Sequence, residues 1–365
     1  MTGVVSVVGA RPNFMKLAPL ARAFGSRPEA RHVIVHTGQH YDAGMSADFF
    51  RDLAIPEPDH DLGVGSASHA QQTAAIMQRI EPVLLAERPD VVLVYGDVNS
   101  TVAAALVAAK LGIRVGHVEA GLRSRDWSMP EEINRVVTDR LSDLLFTPSR
   151  DGDAHLAAEG VPADRVHFVG NIMIDSLVHA LPGARALDAP GRYGVDGGRY
   201  AVVTLHRPSN VDDVESLRGL FEALDAIGRE RPVLFPVHPR TRARIDAADL
   251  RPAPGGGLRL LDPVGYLDML GLVERAALVV TDSGGLQEET SFLGVPCLTV
   301  RPNTERPVTC TEGTNRLVPP LREAVVTAAR AALQRGQQQT AGIERWDGHT
   351  AERIVGVLLD GEEYR

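Results

Sequence analysis

The sequence predicts an α/β protein made of two doubly wound, Rossmann-like domains. Short runs of β-branched and other apolar residues alternate with amphipathic helical segments along the whole chain. The runs are apolar without interruption, which is typical of parallel sheets that helices cover on both faces. The chain also has 365 residues, the length expected of two domains.

Six strands are predicted in the first half and five in the second half. The first six are Val4–Val8, Val33–Val35, Val91–Tyr95, Val115–Val118, Leu144–Phe146 and Val166–Val169. The other five are Tyr200–Leu205, Val233–Phe235, Leu258–Leu261, Leu278–Thr281 and Pro296–Val300. Gly- or Asn-rich turns lead from strands into helices, the first helix starting at about Phe14, and a last helical pattern covers Thr350–Asp360.

The segment Leu181–Gly198 lies between the two halves and is rich in Gly, Ala, Pro and Asp, which favours an interdomain linker. We therefore expect an N-terminal domain over residues 1–180, a linker over 181–198 and a C-terminal domain over 199–349. The last helix, within residues 350–365, is expected to pack back on the first domain. Two doubly wound domains predict a cleft between them, with ligands at the carboxyl ends of the strands.

Composition excludes several classes of function. The formal net charge is −9 and no long basic run occurs, which argues against a nucleic-acid or anionic-membrane surface. Cys297 and Cys310 form neither a CxxC pair nor a metal-ligand spacing, so we interpret them as unpaired thiols in a reducing compartment. No signal peptide or membrane span is predicted. The expected location is the cytoplasm.

The first strand leads into Gly9, Arg11 and Lys16, which could meet a diphosphate near a helix N-terminus. Taken alone, the two cations are better interpreted as ordinary surface residues. The segment is not GxGxxG, which weakens the case for a dinucleotide cofactor. Asp59-His60-Asp61 resembles a DxD metal motif, but its Pro-rich surroundings favour an exposed loop.

Three acids in the first half are candidates for catalysis. Asp97 follows a buried strand, where a helix cap and a catalyst are about equally plausible. Glu119 ends the next strand, and a carboxylate there is costly unless it is paired or functional. Glu131 starts a helix in Met129–Arg135, where acids also stabilise the helix dipole.

The second half carries more specific signals. His206 lies beside an Arg at a strand end, where a titratable His is less often structural. A strand then runs through Ser283-Gly284-Gly285 into a helix, which makes an anion site of backbone N–H groups. Glu289, one turn further, could accept both hydroxyls of a ribose. Arg306 lies in a rigid turn after the following strand and adds donors.

These motifs together resemble the non-hydrolysing UDP-N-acetylglucosamine 2-epimerases. The resemblance runs from Gly9 to about Leu317 and rests on ten segments in the same order. They are GARPNFMKLAPL, GQH, VVLVYGDVNST, GHVEAGLRS, MPEEINR, GN at 170–171, HRPSNVD, PVHP, TDSGGLQEE and TERP. Each alone is weak evidence, but ten in register are a strong signal. The resemblance implies the two-domain GT-B fold, UDP in the cleft and a homodimer, with neither NAD nor a metal.

The resemblance also implies roles for individual residues. The acids proposed for proton transfer correspond to Asp97, Glu119 and Glu131, and His206 joins the catalytic set while also holding the UDP portion. The other residues that hold UDP correspond to Arg11, Ser283, Gly284, Gly285, Glu289 and Arg306. Lys16 lies close by, and Arg135 belongs to the substrate-binding motif MPEEINR.

Three departures from the family pattern stand out. The loop Arg125–Met129 is about two residues shorter than in well-known bacterial members, so its contact with the sugar is expected to differ. Met269 replaces a Phe that lies against the uracil in some members, and its adaptable side chain should preserve base binding. Around the second-substrate site, Gln39-His40 is followed by Tyr41-Asp42, and Ser66–Ser68 replaces an Arg-containing stretch. An Asp would repel a pyrophosphate, which argues against allosteric activation.

The sequence leaves alternatives open. Related enzymes act on oxidised or diacetamido UDP-sugars, and a hydrolysing sub-type releases N-acetylmannosamine and UDP. A GT-B glycosyltransferase would share the UDP site, but it would not explain GHVEAGLRS and PEEINR together. A non-catalytic sensor of nucleotide sugars should have lost the acids, which are all present. We expect reversible epimerisation of UDP-N-acetylglucosamine.

Overall fold

The structure is a computed structural model that describes residues 1–39, 55–336, 342–361 and 364, apart from the side chain of Arg11. The chain divides into two compact units. The first consists of Met1–His179 with Glu344–Arg365, and the second of Ala180–Ile343.

The first unit contains a parallel sheet of seven strands in the order β3-β2-β1-β4-β5-β6-β7. The strands are β1 Thr2–Val8, β2 Ala30–His36, β3 His60–Asp61, β4 Val91–Tyr95, β5 Arg114–Val118, β6 Leu144–Thr147 and β7 Val166–Phe168. The helices are α1 Arg11–Gly25, α2 His69–Glu87, α3 Asn99–Lys110, α4 Pro130–Leu141, α5 Arg150–Ala158 and α6 Ile172–Ala186, which continues into the second unit. A 3₁₀ turn covers Ala163–Arg165.

The second unit repeats this arrangement with six parallel strands in the order β10-β9-β8-β11-β12-β13. Its strands are β8 Ala201–Thr204, β9 Val233–Pro236, β10 Leu258–Leu261, β11 Leu278–Thr281, β12 Cys297–Val300 and β13 Asn315–Val318. Its helices are α7 Ala189–Arg192, α8 Pro208–Val211, α9 Val214–Gly228, α10 Pro239–Ala247, α11 Tyr266–Glu274, α12 Gly284–Leu293, α13 Val308–Thr311 and α14 Arg322–Arg335. The last helix of the chain, α15 Thr350–Asp360, belongs to the first unit.

Unbroken apolar strands explain both sheets. In β4 every residue is buried, and Val92 and Val94 pack in a cluster with Val5, Ile80 and Leu84. Burial of that kind contributes about 1.5–3 kcal/mol for each large aliphatic side chain. Helices cover both faces of such a sheet, because neither face of the strands is polar. The predicted class of two doubly wound α/β units is confirmed.

Residues 181–198, interpreted above as a linker, contain the end of α6 and the whole of α7. Pro182 lies inside α6 without ending it. Ala189 and Val195 are buried in a cluster of the second unit with Tyr200 and Leu272. The Pro- and Gly-rich composition therefore belongs to a helix end and tight turns that the second unit includes.

Helix α15 packs against α1 in the first unit. Asp175 of α6 accepts hydrogen bonds from the backbone N–H groups of Thr350 (3.1 Å) and Ala351 (2.7 Å) at the start of α15. At its other end, Asp360 forms an ion pair with Arg27 (2.6 Å). Two separate stretches of sequence thus build the first unit.

Within the described ranges, none of the helices combines the length and the apolar character that crossing a membrane requires.

Candidate active site

In both units the candidate residues follow the carboxyl ends of strands near the point where the strand order reverses. In the first sheet this point lies between β1 and β4, and in the second between β8 and β11. Ligands of open α/β sheets bind at such switch points.

Lys16 and Glu119 form a buried ion pair in the first unit, with 6% and 4% of their side chains exposed. Lys16 is on α1, and Glu119 directly follows β5. Gly96 lies against both: a Cβ there would be 2.6 Å from Nζ of Lys16, and its φ of +61° is one that L side chains rarely adopt. A side chain at this position would crowd the pair in a backbone conformation that favours glycine. We associated Lys16 with the diphosphate. In the structure its ammonium group pairs with Glu119, a candidate acid.

Asp97 is held by Arg135. The Arg135 guanidinium donates to Oδ2 of Asp97 at 2.6 Å and also forms an ion pair with Glu132 on its own helix, α4. Asn134 donates from its side chain to the backbone oxygen of Asp97 at 2.8 Å. The Asp97 carboxylate remains 30% exposed. Two consecutive residues of α4 therefore fix the Asp97 turn, while one side of the carboxylate stays accessible.

Glu131 differs from the other two candidate acids because its side chain is exposed. Within the part of the chain that the structure describes, its carboxylate has no hydrogen bond or ion pair. It lies in the first turn of α4, and Arg135, which contacts Asp97, lies one turn further along the same helix. Asp97 and Glu119 follow neighbouring strands. The structure therefore brings all three candidate acids to the same edge of the first sheet.

The sequence interpretation missed Glu132, the buried neighbour of Glu131. Its carboxylate accepts hydrogen bonds from the N–H groups of Ser124 (2.9 Å) and Arg125 (2.8 Å). Burial raises the pKa of Glu132, but these N–H groups and Arg135 outweigh that effect and hold the pKa below its usual range. Glu132 thereby shapes the start of the short loop Arg125–Met129.

Asn13 is a second residue that the sequence interpretation missed. Its side-chain oxygen accepts from the N–H groups of Gly9 and Ala10 (both 3.2 Å), and its amide donates to the backbone oxygen of Tyr95 at 2.8 Å. It therefore ties the turn after β1 to the end of β4. An Asn in the first turn of a helix is typical of local capping. The hydrogen bond from Asn13 to Tyr95 therefore could not be predicted from sequence.

In the second unit, Asp282 is fully buried and organises the turn that carries His206. It accepts from the N–H groups of His206 (3.0 Å) and Arg207 (2.9 Å) and from the side chain of Asn210 (3.1 Å), and it lies 3.1 Å from Nδ1 of His206. Burial raises the pKa of Asp282, but His206 and the N–H groups reverse this and lower it. The His206 ring, 45% exposed, is thus oriented by a carboxylate behind it.

Helix α12 begins at Gly284, directly after β11 and Ser283. Its first turn contains no acidic side chain, so the free N–H groups and the helix dipole favour an anion there. A Cβ on Gly284 would be 2.9 Å from a guanidinium nitrogen of Arg306, so the helix start and the arginine lie side by side. Ser283, Gly284, Gly285 and Arg306 therefore form one corner that is rich in hydrogen-bond donors.

Two buried acids hold Arg306. Nε donates to Glu288 at 2.7 Å, and another guanidinium nitrogen pairs with Glu305. Glu305 also pairs with buried Arg301 at 2.7 Å. Burial raises the pKa of Glu305, but the two arginines outweigh it and bring the pKa far below its usual range. From sequence, Arg301 was expected to add donors after β12, whereas Glu288 and Glu305 were assigned no individual role.

Two further residues predicted to bind substrate lie in helices of the second unit. Glu289 is buried in α12, one turn after Gly285. Met269 is partly buried and packs against the core cluster that includes Tyr200 and Leu272. The roles of Glu289 and Met269 remain predictions.

Some predictions fall outside the described residues. They concern the side chain of Arg11 and the residues His40, Tyr41 and Asp42. Nearby, Gln39 is buried and accepts from the N–H (3.0 Å) and hydroxyl (2.7 Å) of Ser100, and Ser68 caps α2.

The interpretation of Asp59-His60-Asp61 as an exposed loop is wrong in part. His60 and Asp61 form β3 and pair with β2, and Asp59 accepts from the N–H of Ile34 at 2.7 Å. The polar segment was not recognised as a strand because it lies at a sheet edge, where apolar runs are not needed. Among the residues described, no three His, Cys, Asp or Glu side chains converge as metal ligands.

Comparisons with known proteins identify the family. A family model described as UDP-N-acetylglucosamine 2-epimerase matches residues 22–359. The chain is 40% identical over 367 residues to the UDP-N-acetylglucosamine 2-epimerase of Methanocaldococcus jannaschii, with 98% of each chain covered. It is 43% identical over 358 residues to the UDP-2,3-diacetamido-2,3-dideoxy-D-glucuronate 2-epimerase of Pseudomonas aeruginosa, with 97% of this chain and 99% of the relative covered.

A solved structure agrees. The crystal structure of the Methanocaldococcus jannaschii UDP-GlcNAc 2-epimerase in complex with UDP-GlcNAc and UDP matches with a TM-score of 0.88 at 40% identity, over 99% of this chain and 100% of that one. Because the family model and these relatives match nearly the whole chain, the chain belongs to the UDP-N-acetylglucosamine 2-epimerase family.

Proposed function

We propose that the chain catalyses the reversible epimerisation of UDP-N-acetylglucosamine at C2 to UDP-N-acetylmannosamine. UDP leaves as the C2 proton is lost, which gives 2-acetamidoglucal held in the site. UDP then adds back to C1 while C2 takes a proton on the opposite face. The observation that carries this proposal is the set of three carboxylates at the carboxyl edge of the first sheet.

The chemistry requires such a set. The C2 proton is not acidic, so its loss is coupled to the departure of UDP. Inversion needs one group that removes the proton from one face and another that delivers a proton to the other face. Asp97, Glu119 and Glu131 approach the same edge from three different chain segments, and each has a different environment.

The second unit supplies the features that a departing diphosphate needs. In the proposal, the N–H groups of Ser283, Gly284 and Gly285 and the guanidinium of Arg306 bind the diphosphate and stabilise the charge that develops on it. His206 completes this corner. Glu289 accepts the ribose hydroxyls, and Met269 lies against the base.

The other parts of the proposal concern the first unit and the assembly. Arg11 and Arg135 contact substrate. Lys16 acts through Glu119. We also propose a homodimer, as is usual in the family, and a cytoplasmic location, which the two unpaired thiols support. Light scattering after gel filtration tests the dimer: a mass of 39.2 kDa would mean a monomer.

A UDP-diacetamido-uronate is the second candidate substrate. The Pseudomonas aeruginosa relative, named for a UDP-diacetamido-uronate, is 43% identical, against 40% for the Methanocaldococcus jannaschii UDP-N-acetylglucosamine enzyme. Overall identity therefore does not separate the two sugars.

Proton NMR of the purified protein in D₂O with UDP-N-acetylglucosamine tests the proposal. The expected result is deuterium at C2 in a mixture of gluco and manno UDP-sugars. Free N-acetylmannosamine with UDP would indicate the hydrolysing sub-type. No change with UDP-N-acetylglucosamine, but turnover of the diacetamido-uronate, would replace the substrate while keeping the reaction.

A further inference from the structure

The three segments that carry the candidate acids meet at one buried pair of side chains, His117 and Asp139. His117 lies on β5 and is fully buried, and Asp139 lies on α4 and is 2% exposed. Their side chains are 2.6 Å apart, measured from Nδ1 of His117 to Oδ1 of Asp139. This His–Asp pair has no role in the function proposed above.

His117 and Asp139 each have further hydrogen-bond partners besides one another. Nε2 of His117 is 2.8 Å from the backbone oxygen of Gly96, which can only accept, so Nε2 donates. Asp139 accepts from the N–H of Gly121 (3.1 Å) and from Arg123 (2.7 Å), as an ionised carboxylate does. Nδ1 of His117 faces this carboxylate, so both ring nitrogens have partners and the ring is held in one orientation.

Each of these bonds reaches a different acid-bearing segment. Gly96 immediately precedes Asp97. Gly121 lies two residues after Glu119, and His117 lies two residues before it. Asp139 is on α4, the helix whose first turn contains Glu131. One buried pair therefore connects the Asp97 turn, the Glu119 turn and the helix of Glu131.

The backbone of these turns needs such support. Glu119 has a φ of +74°, a left-handed conformation that is costly for a residue with a side chain. Gly96 and Gly121, the two residues that the pair binds, are also left-handed, with φ of +61° and +79°. Strained conformations persist where the surroundings determine them more than once. A relaxed turn would point the Glu119 carboxylate elsewhere.

A second salt bridge supports the pair from behind. Arg123, which donates to Asp139, also pairs with Glu159 at 2.7 Å, and Glu159 is 41% exposed. The side chains of His117, Asp139, Arg123 and Glu159 thus form a continuous series of polar contacts from the acid-bearing edge to the surface. Arg123 pairs with both acids, so the buried charges of Arg123 and Asp139 each have a partner.

We propose that His117 and Asp139 are positioning residues that fix Asp97, Glu119 and Glu131 relative to one another for the two proton transfers. This inference rests on the proposed function. Neither side chain contacts substrate: the pair acts through the Gly96 oxygen, the Gly121 N–H and helix α4. Misplacement of a reacting group by about 1 Å costs about 100-fold in rate.

The kinetic test compares His117→Leu, His117→Gln and Asp139→Asn with the unchanged protein. We expect kcat to fall by about 100-fold in His117→Leu, while KM and UDP affinity change by less than about threefold. His117→Gln keeps a donor that can reach Gly96 and should recover part of the loss. The matched control is His32→Gln, because His32 is a strand histidine of the same sheet bonded to Ser6 at 2.8 Å, far in sequence from the acids. It should lower stability without lowering kcat.

A measurement without substrate separates this inference from the proposed function. Hydrogen exchange, followed by mass spectrometry on peptides containing Gly96 and Gly121, should be about tenfold or more faster in His117→Leu and Asp139→Asn, with the β1 peptide unchanged. If those rates stay at the unchanged protein's values, the inference is wrong whatever the activity. If exchange rises but the unchanged protein does not epimerise UDP-sugars, the proposed function fails and the positioning of the turns stands. If His117→Leu does not fold, the exchange rates of the same peptides in His117→Gln and Asp139→Asn test the inference instead.

Discussion

The carboxyl edges of the two sheets use ion pairs in opposite ways. In the first unit, cations serve the acids: Lys16 pairs with Glu119, and Arg135 with Asp97. In the second unit, acids hold the basic side chains: Asp282 orients His206, and two buried glutamates pair with Arg306. The strand order that surrounds both edges is closely similar.

The difference shows that the doubly wound fold decides where side chains gather but not which charge faces outward. That choice lies in the few residues after each strand. Glu119 follows β5, whereas Ser283 and the glycines follow β11. A donor-rich edge suits a diphosphate, and an acid-rich edge suits proton transfer. If the two edges have these separate functions, substitutions at one edge should leave the function of the other edge unchanged.

The largest effect is expected from removing a charge at the acid edge. Asp97→Asn, Glu119→Gln and Glu131→Gln should each lower turnover by about 10²- to 10⁴-fold, because proton transfer contributes rate factors of this size. UDP affinity, measured by calorimetry, should stay within about threefold, since UDP is proposed to bind the other edge. Glu81→Gln, an exposed acid on α2, is the control. Near-normal turnover in any of the three would remove that residue from the mechanism.

Removal of the cation beside Glu119 should mainly change stability. Lys16→Met removes the cation that pairs with the buried Glu119 carboxylate, which is expected to cost about 3 kcal/mol in the free energy of unfolding. The double variant Lys16→Met with Glu119→Gln should recover part of this loss. Both tryptophans, Trp127 and Trp346, lie in the first unit, so denaturation followed by tryptophan fluorescence reports on it. Equal stability of the single and double variants would show that the pair is not coupled.

At the other edge, Arg306→Ala should weaken UDP binding by about 10- to 100-fold, the range expected for charge-assisted hydrogen bonds. The tryptophan-monitored unfolding of the first unit should not change. Arg330→Ala is the matched control, because Arg330 pairs with Glu230 at the surface of the same unit. Unchanged UDP affinity in Arg306→Ala would place the diphosphate elsewhere.

The smallest expected effect is a pH dependence of the free energy of unfolding of the first unit. Burial raises the pKa of Asp175 to about 6, above its usual value of 3.8. The folded state then binds more protons than the unfolded state between about pH 4 and pH 6. The free energy of unfolding should therefore decrease by about 1–2 kcal/mol as the pH rises through this window, and level off above it. Urea denaturation of Asp175→Asn should lack this decrease; if it persists, another group is responsible.

Sequence predicted the central strands well, because a parallel strand buried on both faces must be an apolar run. All eleven predicted strands are present, with ends that shift by a few residues. The two strands that were missed, His60–Asp61 and Asn315–Val318, lie at sheet edges and contain polar residues. At 181–198 the Pro- and Gly-rich composition suggested a linker, but the segment includes helical residues, and Pro182 lies within α6.

The candidate residues themselves could be named from sequence, but their partners could not. Lys16 and Glu119 are 103 positions apart, and His206 and Asp282 are 76 positions apart. No local pattern encodes a pairing across such distances. For this reason Lys16 was associated with a diphosphate, and Asp282 and Asp139 received no role. Their importance follows only from the order of the strands.

The way α15 completes the first unit affects how the chain is made. A ribosome releases the whole of residues 180–343, a continuous stretch that forms one unit, before it has made α15. Domains generally fold in the order in which they are synthesised. Here the unit that begins the chain must wait for Ile354, Val355 and Val357 to be buried, so it finishes last. During that interval the face of α1 that α15 later covers is open to chaperones, and a premature stop near residue 344 would damage the unit that was made first.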